Sequence, residues 1–422
     1  MREMKDSGIE WIGDIPKNWN MSKIGSLYTQ RNEKVSDKEY RPLSVTMQGV
    51  LPQLASAAKT DDGDNRKLVR VGDFAINSRS DRRGSCGISP LDGSVSLINI
   101  ILTPRTTMHP GYYDWLFHTT LFADEFYKWG HGIVADLWTT RWQEMKSICV
   151  PVPEYAEQKR ISEFLNSECA EIDAVLEKTR ASIDEYKKLK QTVITQAVTK
   201  GIRGDRPMKD SGIEWTSSIP YDVSISRIGL HFNIILGKML CLTPLDETYT
   251  LESYYCAADV HFEGISKGEK KRMWFNPTEK QQYLVNNGDL LVVEGGAGAG
   301  GCAIVRENDK QMFIQNSIMI VRPKEQSSTR YLRYLMECFV KQGYIDVVCN
   351  KATIPHFTKD KLSTMPYIVF SVDEQKEIAD YLDVKCAEID NLISKKEQYI
   401  TEIENYKKSL IYEYVTGKKE VD

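Results

Sequence analysis

The chain contains no run of eighteen apolar residues, so no transmembrane helix and no membrane partner is expected. The segment MREMKDSGIEW has no apolar stretch of the length a secretory signal needs, which makes a cytoplasmic location the expectation. Nine cysteines, an odd number without any CxxC pair, point to scattered reduced thiols rather than a disulfide framework. The six histidines show no ligand spacing, so no metal site is expected. Catalytic signatures are missing too. There is no GxSxG elbow, no HExxH, no P-loop lysine behind a glycine loop, and no Asn/Asp-Pro-Pro-Tyr/Phe run of the kind DNA amino-methyltransferases use. These gaps predict a chain that is not an enzyme. A net charge of −4 argues against a polyanion binder charged over its whole surface, but the basic residues are unevenly spread. Arg66, Lys67, Arg70, Arg79, Arg82 and Arg83 lie close together with only Asp73 and Asp81 among them, a local patch suited to DNA phosphate.

What the sequence does have is a duplication. The eight residues MKDSGIEW occupy positions 4–11 and again 208–215, and the match continues through Ile15-Pro16 against Ile219-Pro220 and Lys23-Ile24-Gly25 against Arg227-Ile228-Gly229. A repeat near half the chain length predicts two copies of one structural unit. Each copy reads as an α/β part followed by a long helix. The first helix spans roughly 157–200 without proline or glycine, with Leu165, Ile172, Tyr186 and Val193 on one heptad position, Val175 and Leu189 on another, and Leu176 and Ile183 widening the stripe. The second starts at Glu374-Gln375, as Glu157-Gln158 starts the first, and carries Leu382, Ile389, Ile403 and Leu410 flanked by Ile378, Leu392, Tyr399 and Tyr406. Long apolar stripes in one chain should pack together, and antiparallel pairing is expected. The expected fold is therefore α+β, with two α/β domains joined by two long antiparallel coiled-coil helices and an internal pseudo-two-fold repeat. Its expected boundaries are 1–156, 157–203, 204–373 and 374–422.

Between the repeated segments the halves diverge, as two readers of different things would. In the second half Asp289-Leu-Leu-Val-Val-Glu294 runs into GGAGAGG, and Gly296, Gly298 and Gly301 satisfy GxGxxG. A nucleotide or S-adenosylmethionine site is one reading. Cys302-Ala-Ile-Val305 follows, however, which is short and β-branched and offers no helix N-terminus to a phosphate, so a strand-loop-strand tip is the better one. The matching stretch of the first half holds Ser78, Arg79, Ser80, Arg82 and Arg83, whose guanidinium and hydroxyl groups suit guanine edges and phosphates. Glu294 could accept from cytosine N4, with Gly296 and Gly298 allowing close backbone approach. A second loop precedes each long helix: Trp138, Thr140 and Arg141 in the first half, and Lys351, His356, Phe357 and Lys359 in the second. Lys267, Lys270, Lys271 and Arg272 form a further basic loop expected to face phosphate. The bland readings are a solvated charged turn and aromatic packing.

The duplicated KDSGIEW…IP segment, the Glu-Gln helix start after Pro151-Val-Pro153, the EID-containing helices ending in Val-Thr, and two unlike globular parts resemble the specificity (S) subunits of type I restriction–modification systems over the whole chain. The resemblance implies two target-recognition domains, each reading half of a split, asymmetric double-stranded DNA sequence. It also implies docking of two modification (methyltransferase) subunits and, through the complex, of restriction (endonuclease and translocase) subunits. S-adenosylmethionine, ATP and Mg would belong to those partners, with no cofactor in this chain. Partner surfaces are expected where the halves agree: Trp11, Trp215, Gln158, Gln375, Ile172 and Ile389. Helix length would set the gap between readers. The competing readings are an S-adenosylmethionine-dependent methyltransferase using the glycine loop, and a coiled-coil scaffold with no DNA role.

Overall fold

The computed structural model describes residues 2–54, 63–132, 138–213, 215–306, 311–324, 327–349 and 356–421. The chain divides into two compact units, Met1–Arg180 with Glu397–Asp422, and Ala181–Lys396. The architecture is α+β, and no helix among the described residues is long and apolar enough to cross a membrane.

The first unit is organised by a four-stranded antiparallel sheet in the order Cys86–Ile88, Phe74–Asn77, Asn99–Pro104, Tyr28–Arg31. Alternate side chains point to opposite faces. Phe74, Ile76, Cys86, Ile100 and Leu102 enter an aromatic core with Tyr113, Phe117 and Phe122, from the helices Pro110–Phe117 and Thr120–Lys128. Ala75 and Ile101 face the other way, into a smaller core with Leu43, Val50, Val69 and Val95. Burial on both faces explains why strand Phe74–Asn77 reads as a continuous apolar run rather than an alternation.

The second unit repeats this plan internally. Its sheet runs Cys302–Ile304, Leu290–Val293, Ile318–Pro323, Phe232–Leu236, again antiparallel. Leu290, Val292, Met319 and Val321 pack under the helix Thr329–Lys341, while Leu291, Val293, Ile318 and Ile320 fill a separate core with Val260 and Val285. The strand order therefore survives where sequence identity does not. The repeated octapeptide makes a turn in both units: Asp6 and Asp210 each accept a hydrogen bond from the glycine two residues on, and Gly8 (φ 71°) and Gly212 (φ 67°) take the left-handed conformation such a turn requires.

The two long helices are Tyr155–Lys200 and Val372–Val415. In the first unit, Phe164 packs against Tyr414 with tilted rings and centroids 4.4 Å apart, Asp173 pairs with Lys407 at 2.6 Å and Arg180 with Glu404 at 2.6 Å. One number rises as the other falls, so these segments run antiparallel. In the second unit Lys190 pairs with Asp390 at 2.7 Å and Lys396 sits over the Tyr186 ring, in the same sense. The seam of the first helix is Leu165, Cys169, Ile172, Leu176, Thr179 and Ile183, spaced alternately by four and three, all buried except the half-buried Ile172. This corrects the stripe expected from hydrophobicity alone: Val175 and Leu189 are exposed, as are Leu392, Tyr399 and Tyr406 on the second helix. Cys169 and Thr179 take seam positions that an apolar count passes over.

Each unit clamps the end of one long helix with a tyrosine. The Tyr112 hydroxyl donates to the Val415 carbonyl at 2.8 Å, and the Tyr331 hydroxyl donates to Val198 at 3.0 Å and to Ile368 at 3.1 Å. Each unit also carries a buried glutamine at the start of the other helix. Gln158 donates to the Pro153 carbonyl and accepts from the His109 N–H, the cap of helix Pro110–Phe117. Gln375 donates to Phe370 and accepts from the Ser328 N–H, the cap of helix Thr329–Lys341, and from the Tyr367 hydroxyl. One side chain thus satisfies both the carbonyl just past a strand and an orphan helix N–H in each unit.

Candidate nucleic-acid interface

In the first unit, strand Phe74–Asn77 ends in a turn through the 3-10 segment Ser80–Arg82 before the chain returns at Cys86. The structure ties this turn to the loop preceding the long helix. Ser80 N–H donates to the Trp138 carbonyl at 2.9 Å, Thr140 N–H donates to Ser78 at 2.9 Å, and Arg79 and Thr139 form an antiparallel bridge. The Tyr127 hydroxyl underpins the turn by donating to the carbonyls of Asn77 and Arg82. Two stretches some sixty positions apart in the sequence therefore form one tip.

The second unit builds an equivalent tip. Glu294 and the glycines connect strand Leu290–Val293 to strand Cys302–Ile304, the strand-loop-strand arrangement rather than a phosphate-binding loop opening a helix. Gly295 bridges antiparallel to His356, and Phe357 N–H donates to the Glu294 carbonyl at 2.6 Å. Gly295 and His356 occupy the places that Arg79 and Thr139 hold in the first unit, so the backbone join is kept while every side chain on it changes. The turn is closed on itself by Gly300 N–H to Val293 and Gly301 N–H to Gly298. Gly300 has φ 80°, and a Cβ there would lie 3.0 Å from the side chains of Ile345 and Val340. Gly300→Ala should cost more than about 1 kcal/mol, read as a lower denaturation midpoint; an unchanged midpoint would refute the claim that this turn needs glycine.

The side chains sort into surface groups and supports. Arg79, Arg82, Arg83 and Arg141 are exposed. No hydrogen-bond or ion-pair partner for the Arg79 guanidinium exists among the described residues, Arg82 lies 3.8 Å from its neighbour Asp81, and Arg83 is paired with Asp124 over the Tyr127 ring. Ser78 and Thr140, expected as contacts, are instead buried: Ser78 Oγ donates to Ile98, and Thr140 Oγ1 donates to Phe126 at 2.9 Å. Their hydroxyls shape the tip from behind. Ser80 is half-buried. The wider basic patch narrows as well. Arg66 is buried against Ser94, Lys67 donates to the Asn99 carbonyl, and Arg70 pairs with Asp92 at 2.9 Å. Burial lowers the pKa of both Arg66 and Lys67.

On the second tip, Glu294 is half-buried, Gly298 is exposed and Gly296 half-buried, and His356 and Lys359 are exposed. Burial pushes the Glu294 carboxyl above the usual carboxylate range, with His356 opposing the shift. Phe357 is fully buried, whereas Trp138 is 39% exposed, so packing accounts for the first aromatic and leaves the second at the surface. Lys351 lies outside the described residues. In the basic loop, Lys270 is tied to Asp259 at 2.6 Å and to the Ser266 carbonyl, and Arg272 donates to Leu251; Lys267 and Lys271 are exposed.

The residues expected to meet partner proteins are mostly interior. Trp11, Gln158, Gln375 and Ile389 are buried, and Ile172 and Trp215 are half-buried, with Trp11 against Phe122 and Trp215 against Phe339. A buried side chain cannot form an interface without opening its unit, so agreement between the halves at these positions reflects the frame. Missed by sequence reasoning were Tyr112 and Tyr331, whose equivalence is hidden by the shifted offset in the globular parts.

Comparisons with known proteins agree with this geometry. Residues 268–405 match the family described as type I restriction modification DNA specificity domain. The specificity subunit of the type I restriction enzyme MjaVIII from Methanocaldococcus jannaschii is 24% identical over 288 residues, covering 65% of this chain and 62% of that protein. The match thus spans a little under two thirds of that relative's length. Among solved structures, a chain from work on complex assembly and conformational transition of the type I R-M system aligns over 96% of this chain and 99% of its own, with a TM-score of 0.73 at 15% identity. The HsdS subunit from Thermoanaerobacter tengcongensis aligns over 96% and 98%, with a TM-score of 0.56 at 16% identity. Both share the fold. Residues 268–405 thus carry the type I DNA specificity domain, and the chain as a whole shares the fold of these solved chains.

Proposed function

We propose that this chain reads a split, asymmetric double-stranded DNA sequence, each unit contacting one half through its tip, and carries no catalytic step itself. The supporting observation is that two tips with the same backbone join, Arg79 to Thr139 and Gly295 to His356, present unlike chemistry. One is cationic; the other offers glycine, a carboxylate and a histidine. Equivalent scaffolds with different surfaces are what two readers of different bases require. The same reading assigns methylation to two docked modification subunits and cleavage to restriction subunits joining through the complex. S-adenosylmethionine, ATP and Mg belong to those partners. Selection from a randomised duplex library tests it. The expected result is an enriched sequence of two unlike blocks separated by a fixed unread gap; a single block, or no enrichment, would overturn the proposal. The methyltransferase alternative would require S-adenosylmethionine to bind the isolated chain, which equilibrium dialysis measures; no binding is expected.

A further inference from the structure

Resting on that DNA-recognition reading, we infer that Glu294 is the base-discriminating residue of the second unit, its carboxylate accepting a hydrogen bond from an exocyclic amino group, cytosine N4 or adenine N6, in the major groove. Glu294 is held from both sides: its N–H donates to Ser317 at 2.9 Å and its carbonyl accepts from Phe357 at 2.6 Å. The main chain is therefore fixed while the carboxyl makes no hydrogen bond or ion pair among the described residues. It is also the only charged side chain between Asp289 and Arg306. The rest of the loop is glycine and alanine, with Ala297 and Gly298 exposed, so no bulky group keeps a base edge away.

Charge decides what such a group can do. A carboxylate approaching DNA is repelled by the phosphates and gains nothing from counterion release. It becomes favourable only where it meets a donor, and in the major groove the donors are the amino groups of cytosine and adenine. Against guanine O6/N7 or thymine O4 it would set acceptor against acceptor. The residue thus contributes discrimination more than affinity, by penalising the wrong base. Partial burial, which already pushes its carboxyl upward, means that little water remains to relieve a mismatch. Ser78, which holds the corresponding place in the first unit, is buried with its hydroxyl committed to Ile98, so there the task passes to the arginines.

The test compares the full chain, purified with whatever subunits accompany it, with Glu294→Gln and Glu294→Ala in duplex selection. The unaltered chain should enrich cytosine or adenine at one position of the second block, and the base found there tells the two amino groups apart. Glu294→Ala, which removes the acceptor, should reduce that preference about ten-fold or more, within the range a well-formed base contact supplies, whereas Glu294→Gln, which keeps one acceptor and adds a donor, should shift the position toward adenine. All other positions and the salt dependence should stay unchanged, and the melting midpoint should match the unaltered chain. Identical consensus sequences in the unaltered chain and both variants would overturn the assignment while leaving recognition intact. Absence of any enriched sequence with the unaltered chain would overturn the recognition reading itself.

Discussion

Replacing Arg79 and Arg82 together by alanine should erase the half of the target read by the first unit and leave the other half legible. Both guanidinium groups are exposed, and Arg79 has no partner among the described residues to compete with DNA. Each base-reading arginine lost costs about 1–3 kcal/mol. Each phosphate-bound one flattens the log–log salt dependence by about 0.9. Arg83→Ala should do less, because Arg83 is already paired with Asp124 and must give up that bond before it meets DNA. Affinity titrations across a salt series, with targets altered in one block at a time, separate these outcomes. Equal damage to both blocks, or an unaltered slope and affinity, would rule out the first tip as a modular reader.

The largest stability effect is expected inside the second unit. Gln375→Leu removes a fully buried side chain that joins the Phe370 carbonyl to the Ser328 N–H. Leucine keeps the volume but leaves the Phe370 carbonyl and the helix-capping Ser328 N–H without partners. At about 1–3 kcal/mol for each buried group left unsatisfied, the cost is about 2–6 kcal/mol. For a unit of this size that is a fall in Tm of about 5–25 °C by calorimetry. Tyr399→Ala serves as the contrast: it lies at 48% exposure on the second long helix and should change stability by less than about 0.5 kcal/mol. A Gln375→Leu protein that melts with the unaltered one would mean that the glutamine is an ornament of the repeat.

Much of this architecture was readable from residues alone, for reasons that can be named. The duplication announced two units because identical octapeptides needed no structural inference, and the long helices announced themselves by the lack of proline or glycine over more than forty residues. The glycine loop read correctly as a strand-loop-strand tip because Cys302-Ala-Ile-Val305 is too β-branched to open a helix. The seam of the first helix was harder. Cys169 and Thr179 are buried there while Val175 and Leu189 are not, since burial follows geometry around the helix and not hydrophobicity position by position. Side-chain roles at the tips were harder still. Ser78 and Arg79 are adjacent and both polar, yet one faces Ile98 and the other solvent, and only the pairing of two distant loops determines which. For the same reason Trp11, Gln158 and Gln375 looked like docking residues although they are parts of the interior. Repetition in sequence marks a shared constraint without saying whether that constraint is inward or outward.

The clamp at Val415 has a consequence for synthesis. The core of the first unit includes Leu410 and Val415, and Tyr112 completes its hydrogen bond only with that last turn of helix. The second unit, by contrast, is one continuous stretch, Ala181–Lys396. On the ribosome, where contiguous domains fold as they emerge, the half translated first must wait with its aromatic core incomplete. The half translated second has all its parts as soon as Lys396 appears. Maturation therefore runs against the order of translation, and a nascent chain with Lys396 but not yet Val415 clear of the ribosome would carry a complete second unit and a first unit still open.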